Sequence, residues 1–338
     1  MLLSRFAESL YWAGRYLERA EATSRMVKVH TELFLDLPRC AGVGWSPLLA
    51  VTGGSDEFLD RYVEPGEEDV VAFLATDPKS LGSILASISR ARVSLGVSRV
   101  MLPSSAWEVL NDLHEWVTVS SAEAIDRRTR LRWMDSVISD CQRLTGLLAG
   151  TMCDDEAYAF LQIGRHLERA DMTTRVLDVQ ASVLVSQPDD GAPYRDVTWM
   201  SVLRSLSAHQ MFRRSARCGV SGPAALRFLL QAEQFPRSVE FCMTATCRSL
   251  LQLPRAALPV ASCAKVQARV RDLTITDLAT PRDLHELVTH LQSGISELHE
   301  VLAEGYFRVA TRGTVEPAKV EPAKVEPAKV EPAMLELS

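Results

Sequence analysis

The chain carries, at residues 13–25, the sequence Ala13-Gly14-Arg15-Tyr16-Leu17-Glu18-Arg19-Ala20-Glu21-Ala22-Thr23-Ser24-Arg25. A second copy begins 150 residues later and reads Ile163-Gly164-Arg165-His166-Leu167-Glu168-Arg169-Ala170-Asp171-Met172-Thr173-Thr174-Arg175. The copies share their apolar positions and also their Gly, Glu, acid and Arg positions. A helix can keep its apolar stripe with many different charges outside it, so the shared charges indicate a specific role.

Apolar residues in and around both copies follow the spacing of an amphipathic helix. Around the first copy they are Phe6, Leu10, Ala13, Leu17, Ala20 and Val27, with the small Ser24 in phase. The second copy continues the same phase through Phe160, Ile163, Leu167, Ala170, Thr174, Leu177, Ala181 and Leu184. This spacing predicts two helices of about 25–35 residues. Pro38 and Pro188 lie near their expected ends.

Helical patterns also dominate the rest of the chain. Short helices are predicted near residues 45–51 and 56–62, and longer ones over 67–75, 80–99, 104–119, 121–148, 197–217, 223–234, 237–251, 262–273 and 281–310. Ser80, Ser104 and Thr280 are the expected N-caps, the last followed by Pro281. Since no convincing alternating strand pattern is present, we predict an all-α fold. It would be a multi-helix bundle of two pseudo-repeated halves, each with one long Gly-Arg-x-Leu-Glu-Arg-Ala helix.

The C-terminal segment differs in composition from the rest. From Val315 the unit Val-Glu-Pro-Ala-Lys repeats through Lys329. A proline every five residues is incompatible with a helix, and so few apolar residues cannot form a core. We therefore predict one helical domain over residues 1–310 and a disordered tail over residues 311–338.

Bulk composition narrows the class of protein. The 338 residues are 47% hydrophobic and 24% charged, and the net charge is −6. This balance is ordinary for a globular protein and gives no reason to expect nucleic acid or an anionic membrane as a partner. No run of about 18 apolar residues is present, and the N-terminus is not typical of a signal peptide. Seven cysteines without a CxxC pair favour reduced thiols and a cytoplasmic location.

The charged positions of the two copies form the candidate site. On an ideal helix Gly14, Glu18, Glu21 and Arg25 fall within about 60° of one another, beside the apolar stripe. Arg15 and Arg19 are expected further toward solvent. We expect the two glycines to allow close backbone contact. A partly buried network, with Glu18 and Arg25 facing Arg175 and Glu168, is one interpretation; a ligand site and incidental surface pairs are the others.

Other chemistry receives little support from the sequence. Carboxylates spaced i, i+3 occur in di-metal bundles, but the flanking arginines oppose a bound cation, so no metal is expected and an anion fits better. Phosphate-binding glycine motifs and a nucleophile signature are absent, and no cofactor is expected. His285, Glu286, His290 and His299 share the last helix and are weaker candidates. Arg237, in a break between helices, could reach a carboxylate or cap a helix end.

The order of the motifs resembles the Alpha-E family, a bacterial all-helical domain named for its Glu-Arg motif. The segments that carry the resemblance are 2–8, 11–21, 107–111, 164–171 and 235–239, so it extends over about residues 1–310. Family members tend to be encoded beside, or fused to, circularly permuted ATP-grasp proteins, and often near transglutaminase-like peptidases. The resemblance therefore implies these two proteins as partners. It thereby implies a role in making or modifying a peptide through amide bonds.

Within that context three functions stay open. The chain could be an accessory subunit that binds substrate or partner, an enzyme that uses the Glu/Arg cluster for acyl transfer, or a purely structural helical module. One departure from the family pattern bears on the choice. Family members usually carry Ala-Arg-Glu-Asn-Ala-Arg where this chain reads Ala91-Arg92-Val93-Ser94-Leu95-Gly96, so Arg92 and the later Arg99 remain, while the acid, the amide and the second arginine are gone. If that segment carries chemistry, the change would alter or inactivate this member. If it only serves packing, Val93 and Leu95 can substitute.

Overall fold

A computed structural model of the chain describes residues 2–36, 44–186, 195–215, 219–275 and 280–308. Every regular element in these ranges is helical. The α-helices are α1 (Ser4–Asp36), α2 (Ser46–Thr52), α3 (Ser55–Leu59), α4 (Glu67–Ala75), α5 (Ile84–Val97), α6 (Ser104–Val119), α7 (Ser121–Ile125), α8 (Arg130–Thr151), α9 (Glu156–Ser186), α10 (Arg195–Ser205), α11 (His209–Ser215), α12 (Gly222–Gln231), α13 (Val239–Leu250), α14 (Ala257–Arg271) and α15 (Pro281–Leu302). A 3₁₀-helix (Arg99–Met101) follows α5, and a π-helix (Ala303–Phe307) follows α15.

The two motif copies lie on the two longest helices, α1 with 33 residues and α9 with 31. Their apolar stripes are buried, as the 4-3 spacing predicts. In α1 the buried set includes Leu10, Ala13, Leu17, Ala20 and Val27, and in α9 it includes Phe160, Ile163, Leu167, Ala170 and Leu177. Burial of such a stripe supplies most of the stability of a helix in a protein.

Packing around the two long helices follows the same order in each half of the chain. α1 and α9 make the most extensive helix–helix contact. α5 and α8 pack on α1, and α6 packs on both of them. α13 and α15 pack on α9, and α14 packs on both of them. The motif copies therefore lie in the middle of the helical layers, at the α1–α9 contact.

The predicted all-α class is confirmed, since the described residues form no strand. The bounds predicted for α4 and α6 are also confirmed. Thr280 caps α15 as predicted, because its Oγ1 accepts from the N–H of Asp283 at 3.2 Å. The predicted tail, Pro38 and Pro188 lie outside the described residues. Within the described ranges, no helix combines the length and apolar character that a membrane span requires.

Two predicted helices are wrong because each is divided by a turn. The segment 121–148 splits into α7 and α8, since the carboxylate of Asp126 accepts the N–H of Arg128 at 3.1 Å and gives the backbone an alternative to the helix. The segment 197–217 splits into α10 and α11. Ser207 has a φ of 53°, a left-handed conformation that ends a helix.

Two predicted caps are also wrong. Ser83, not Ser80, caps α5, and its Oγ accepts from the N–H of Ala86 at 3.1 Å. Ser104 is the first residue of α6, directly after Pro103, and α6 has no side-chain cap. Both differences have the same reason, because the start of an apolar pattern places a helix boundary only to within a few residues.

Candidate functional site

Gly14 and Gly164 mark the place where the backbones of α1 and α9 meet. A Cβ atom on Gly14 would lie 2.2 Å from the carbonyl oxygen of Leu161. One on Gly164 would lie 2.0 Å from the carbonyl oxygen of Tyr11. Since backbone atoms form the obstacle on both sides, neither helix has room for an alanine. The close backbone contact expected from the sequence is confirmed at both glycines.

One helical turn after the glycine, a glutamate of each helix accepts hydrogen bonds from two arginines of the opposite helix. Arg15 Nε donates to Glu168 Oε2 at 2.6 Å, and Arg19 Nε donates to Glu168 Oε1 at 2.5 Å. In return, Arg169 donates to Glu18 through Nε at 3.0 Å and Nη2 at 2.7 Å, and Arg165 Nε lies 3.4 Å from Glu18 Oε2. Arg19 and Arg169 each bind their glutamate through two nitrogens, and this two-point geometry fixes the orientation of these two guanidinium groups.

Arg237 adds a third arginine to the Glu18 side. It lies in the turn between α12 and α13, beside the α13 cap Ser238. Its Nη1 donates to Glu18 Oε1, and its Nη2 donates to Glu21 Oε1 at 2.9 Å. Of the two roles that the sequence left open, Arg237 therefore takes the carboxylate contact. Its guanidinium group bridges the first and second acid of one motif copy.

The second acid of each copy pairs within its own helix. Arg25 Nη2 donates to Glu21 Oε1, and Arg175 Nε donates to Asp171 Oδ2 at 3.0 Å. The predicted pairing across the helices of Arg25 with Glu168 and of Arg175 with Glu18 is therefore wrong. The helices are closest at the glycines, so the arginines beside the glycines reach the opposite acid.

Burial of the network also differs from the sequence-based picture. The side chains of Glu18 and Glu168 are each only 1% exposed, so the interpretation as incidental surface pairs is wrong for them. Arg15 and Arg19, expected toward solvent, are 12% and 23% exposed. Their guanidinium groups lie over aromatic rings, Arg15 over Trp12 at 5.4 Å and Arg19 over Tyr16 at 5.8 Å. Long side chains can cover apolar surface in this way while their charged ends reach a carboxylate.

Charge keeps the central acids ionised. Burial alone would raise the pKa of the Glu168 carboxyl, but the guanidinium groups of Arg19 and Arg15 outweigh it and lower that pKa to about 2. At Glu18 burial alone would likewise raise the pKa of the carboxyl, but Arg169 and Arg237 hold that pKa well below its usual range. Neither carboxylate is matched to proton transfer at neutral pH, since a general base works best with a pKa near the working pH.

The balance of charge opposes a metal ion. The four acids Glu18, Glu21, Glu168 and Asp171 are outnumbered by seven arginines: Arg15, Arg19, Arg25, Arg165, Arg169, Arg175 and Arg237. A dication placed among them would meet an excess of like charge. Across the described part of the chain, no three His, Cys, Asp or Glu side chains are arranged to hold a metal.

The remaining sequence candidates lie apart from this network. Arg92 is exposed on α5, where its Nε donates to Asn111 Oδ1 at 2.6 Å. Val93, in the segment that departs from the family pattern, is 67% exposed. On α15, His285 pairs with Asp178, and the Nδ1 of His299 lies 2.8 Å from the Tyr11 hydroxyl. The α15 histidines therefore contact different parts of the molecule rather than one site.

Two residues that contact the network, Gln142 and Thr173, were not predicted from the sequence. Gln142 on α8 donates to Glu21 Oε1 at 3.1 Å, and nothing in its sequence context indicates this. Thr173 Oγ1 donates to the carbonyl oxygen of Arg237 at 2.9 Å. Thr173 recurs as Thr23 in the first copy, but a shared threonine alone does not indicate which group its hydroxyl contacts.

A cavity lies beside the Glu168 side of the network. Its volume is about 290 Å³. Charged and polar side chains from α1 and α9 form one wall: Arg19, Thr23, Glu168, Asp171 and Arg175. Phe73, Met172 and the segments 52–54 and 80–82 form much of the rest. A group of small-molecule size could therefore reach the second motif copy from this side.

Comparison with known proteins gives a family match for the chain. The model of the Alpha-E family, described as a predicted alpha-helical domain with a conserved ER motif, matches residues 2–307. Uncharacterized proteins of Mycobacterium bovis and Mycobacterium tuberculosis are each 25% identical over 278 residues, which cover 74% of this chain and 30% of the relative. The chain thus spans about 30% of the length of these curated relatives. No solved structure shows significant similarity to it.

The sequence contains two Glu-Arg dipeptides, Glu18-Arg19 and Glu168-Arg169. Each arginine binds the glutamate of the other dipeptide, and these are the central ion pairs between α1 and α9. Because the family model extends over nearly all of the described helices, the chain belongs to the Alpha-E family.

Proposed function

We propose that the chain is an accessory subunit that binds substrate or partner in an ATP-grasp-linked system for peptide synthesis or modification through amide bonds. In this proposal it works in the bacterial cytoplasm and is not catalytic by itself. A circularly permuted ATP-grasp protein activates a carboxylate, and a transglutaminase-like peptidase acts in the same system. These partners rest on the resemblance of the motifs to the family.

The observation that supports the binding role is that the central acids are buried and fully paired with arginines. Glu18 and Glu168 are 1% exposed, and each is held by two or more arginines. Carboxylates tied in this way are poor bases and poor nucleophiles, since their lone pairs already accept charged donors. The arrangement favours a rigid support for a neighbouring binding surface.

The lengths of the relatives are consistent with binding and ATP-dependent activation being carried out by different domains. Only 30% of the length of the mycobacterial relatives corresponds to this chain. The chain itself contains no phosphate-binding glycine motif. ATP-dependent activation would then belong to another polypeptide or to another part of a longer one.

The test is recovery of the partner from the native host. The full chain, tagged and expressed at its normal level, is purified and its co-purifying proteins are identified by mass spectrometry, with an untagged strain as control. We expect the circularly permuted ATP-grasp protein to be enriched. Recovery of folded chain without that protein, in this experiment and with the ATP-grasp protein as bait, would contradict the proposal.

One observation favours the enzymatic alternative. Glu168 and Asp171 line the cavity of about 290 Å³, so a substrate could approach the second motif copy. As an enzyme, the chain should lose turnover in Glu168→Gln or Glu18→Gln even at temperatures at which the destabilised variant stays folded. A purely structural module should lose only stability in the same variants. Thermal unfolding together with turnover by the reconstituted system separates these outcomes.

A further inference from the structure

The turns before α5 and α13 are built alike. Ser83 and Ser238 are the N-caps, and each hydroxyl accepts the N–H of the residue three positions later, at 3.1 Å in both turns. Each hydroxyl also donates to the carbonyl oxygen six positions earlier, that of Asp77 or Ala232. The two turns therefore correspond residue by residue, just as α5 and α13 correspond in their packing on α1 and α9.

This correspondence pairs Gly82 with Arg237, since each directly precedes its capping serine. The guanidinium group of Arg237 bridges Glu18 and Glu21. At Gly82 there is no side chain, and a Cβ atom there would meet nothing closer than the carbonyl oxygen of Thr52 at 3.9 Å. Gly82 lines the cavity described above.

The acids and the threonine that surround Arg237 have counterparts on that cavity. Glu168 and Asp171 correspond to Glu18 and Glu21 by the offset of 150 residues, and both line it. Glu168 accepts from two arginines, whereas Glu18 accepts from three. The cavity thus presents the same pair of acids that Arg237 bridges in the other half.

Thr23 supplies an independent indication of a ligand. Its counterpart Thr173 donates a hydrogen bond to the carbonyl oxygen of Arg237. Thr23 is fully buried in the cavity wall, and its Oγ1 has no hydrogen-bond partner among the described residues. Buried hydroxyl groups are normally paired, because leaving one unpaired costs about 1–3 kcal/mol.

We propose that this cavity binds an arginine residue of a peptide or partner protein. The guanidinium group donates to Glu168 and Asp171, as Arg237 donates to Glu18 and Glu21, and Thr23 donates to the carbonyl oxygen of the bound arginine. The methylene groups pack against Phe73 and Met172. The volume of about 290 Å³ suits a group of side-chain size, since it lies just below the roughly 300–1,000 Å³ of small-molecule sites.

Arginines outnumber acids in the whole network, but the charged side chains that line the cavity are Glu57, Glu168 and Asp171 against Arg19 and Arg175, so a guanidinium group meets no excess of positive charge there. Glu168 and Asp171 are paired with Arg15, Arg19 and Arg175, one arginine fewer than the four that surround Glu18 and Glu21. A bound guanidinium group therefore gives the second copy the same charge as the first, which is stable in the fold. The ligand assignment does not depend on the chain's place in an amide-ligase system.

Calorimetric titration of the full chain tests the assignment. The probe is N-acetylarginine N-methylamide, and its matched control is the citrulline analogue, which replaces the guanidinium group with a neutral urea. We expect saturable one-to-one binding of the arginine probe and affinity at least about ten-fold lower for the citrulline probe. No saturable heat, equal affinity of the two probes, or binding of inorganic phosphate in place of arginine would overturn the proposal.

Variants locate the probe in the cavity. Gly82→Arg should abolish binding without lowering the midpoint of thermal unfolding, since its side chain takes the place of the ligand. Asp171→Asn should weaken binding at least about ten-fold and decides the matter if Gly82→Arg does not fold. Thr23→Val should weaken binding of the arginine amide but not of agmatine, which lacks the carbonyl group. Unchanged binding in Gly82→Arg and Asp171→Asn would contradict the assigned site.

Discussion

Gly164 lies so close to Tyr11 that a Cβ atom on the glycine would be 2.0 Å from the tyrosine carbonyl oxygen. The matching approach of Gly14 to Leu161 makes the contact reciprocal. Contact at this point brings the arginines beside each glycine within reach of the glutamate on the other helix. The spacing of the helices and the pairing of charges therefore depend on the same two positions.

Gly164→Ala should lower the free energy of unfolding by at least about 2 kcal/mol, because the added methyl group must push two backbones apart. Urea unfolding at neutral pH measures the change. The matched control is Gly146→Ala on α8, where an added Cβ would meet nothing within 4 Å. That variant should gain up to about 1 kcal/mol from helix propensity. Equal effects of the two substitutions would contradict the close contact.

Arg237→Met should lower the free energy of unfolding by about 2–3 kcal/mol, since Glu18 and Glu21 each lose a charged hydrogen bond. Arg237→Lys should recover less than half of this loss, because an ammonium group cannot bridge two carboxylates as a planar guanidinium does. Arg92→Met, at an exposed arginine outside the network, is the control and should change stability by less than about 0.5 kcal/mol. Full recovery by lysine would count against the bridging geometry.

Acid should destabilise the fold through Glu168. Its pKa is about 2 in the folded chain, below the ordinary value of 4.5. A carboxyl with a lowered folded pKa stabilises the fold fully above its unfolded pKa, and this contribution is lost as the pH falls through the folded pKa. The free energy of unfolding should therefore decrease between about pH 4.5 and pH 2, with Glu168 accounting for on the order of 3 kcal/mol.

Urea unfolding at a series of pH values, for the native chain and for Glu168→Gln, measures this dependence. The variant should be less stable at neutral pH and should show a flatter decrease below pH 4.5, because it has no carboxyl to protonate at this position. Glu297→Gln, at a side chain that is 59% exposed, should follow the native curve. Parallel curves for the native chain and Glu168→Gln would show that the Glu168 carboxyl is not held by Arg15 and Arg19.

Local sequence patterns were sufficient for the helical class and for the close approach of the two motif copies. Apolar spacing identified α1 and α9, and the repeated glycines indicated a close approach before any contact was known. Both signals are visible in the sequence because helix periodicity and the absence of a side chain are properties of single positions.

The pairing of charges required the three-dimensional arrangement. Arg25 and Arg175 share a helical face with their acids, so the sequence could not show that Arg15 and Arg165, beside the glycines, reach across instead. Gln142 comes from α8 and has no motif of its own. The break at Ser207 has a left-handed residue that is not glycine, so the usual sequence sign of a helix end is missing.

Thiol reactivity should divide the cysteines by burial. Cys153 is exposed, whereas burial raises the pKa of the Cys242 and Cys263 thiols to about 12. Because the thiolate is the reactive form, a thiol reagent should modify Cys153 before the buried Cys141, Cys242 and Cys263 in the folded chain. Cys242 and Cys263 should react only after unfolding in denaturant. Mass spectrometry of the modified peptides reads the order, and early labelling of Cys242 would contradict the packing of α13 against α9.

The central claim is that α1 and α9 are joined by reciprocal glutamate–arginine pairs, and a double-mutant cycle on Glu18 and Arg169 tests it most directly. Urea unfolding gives the free energies for Glu18→Gln, Arg169→Gln, the double variant and the native chain. We predict a coupling energy of at least about 1.5 kcal/mol, as for other close buried charge pairs. The cycle of Glu18→Gln with Arg92→Gln should be additive. Additivity within about 0.5 kcal/mol for Glu18 and Arg169 would contradict the account.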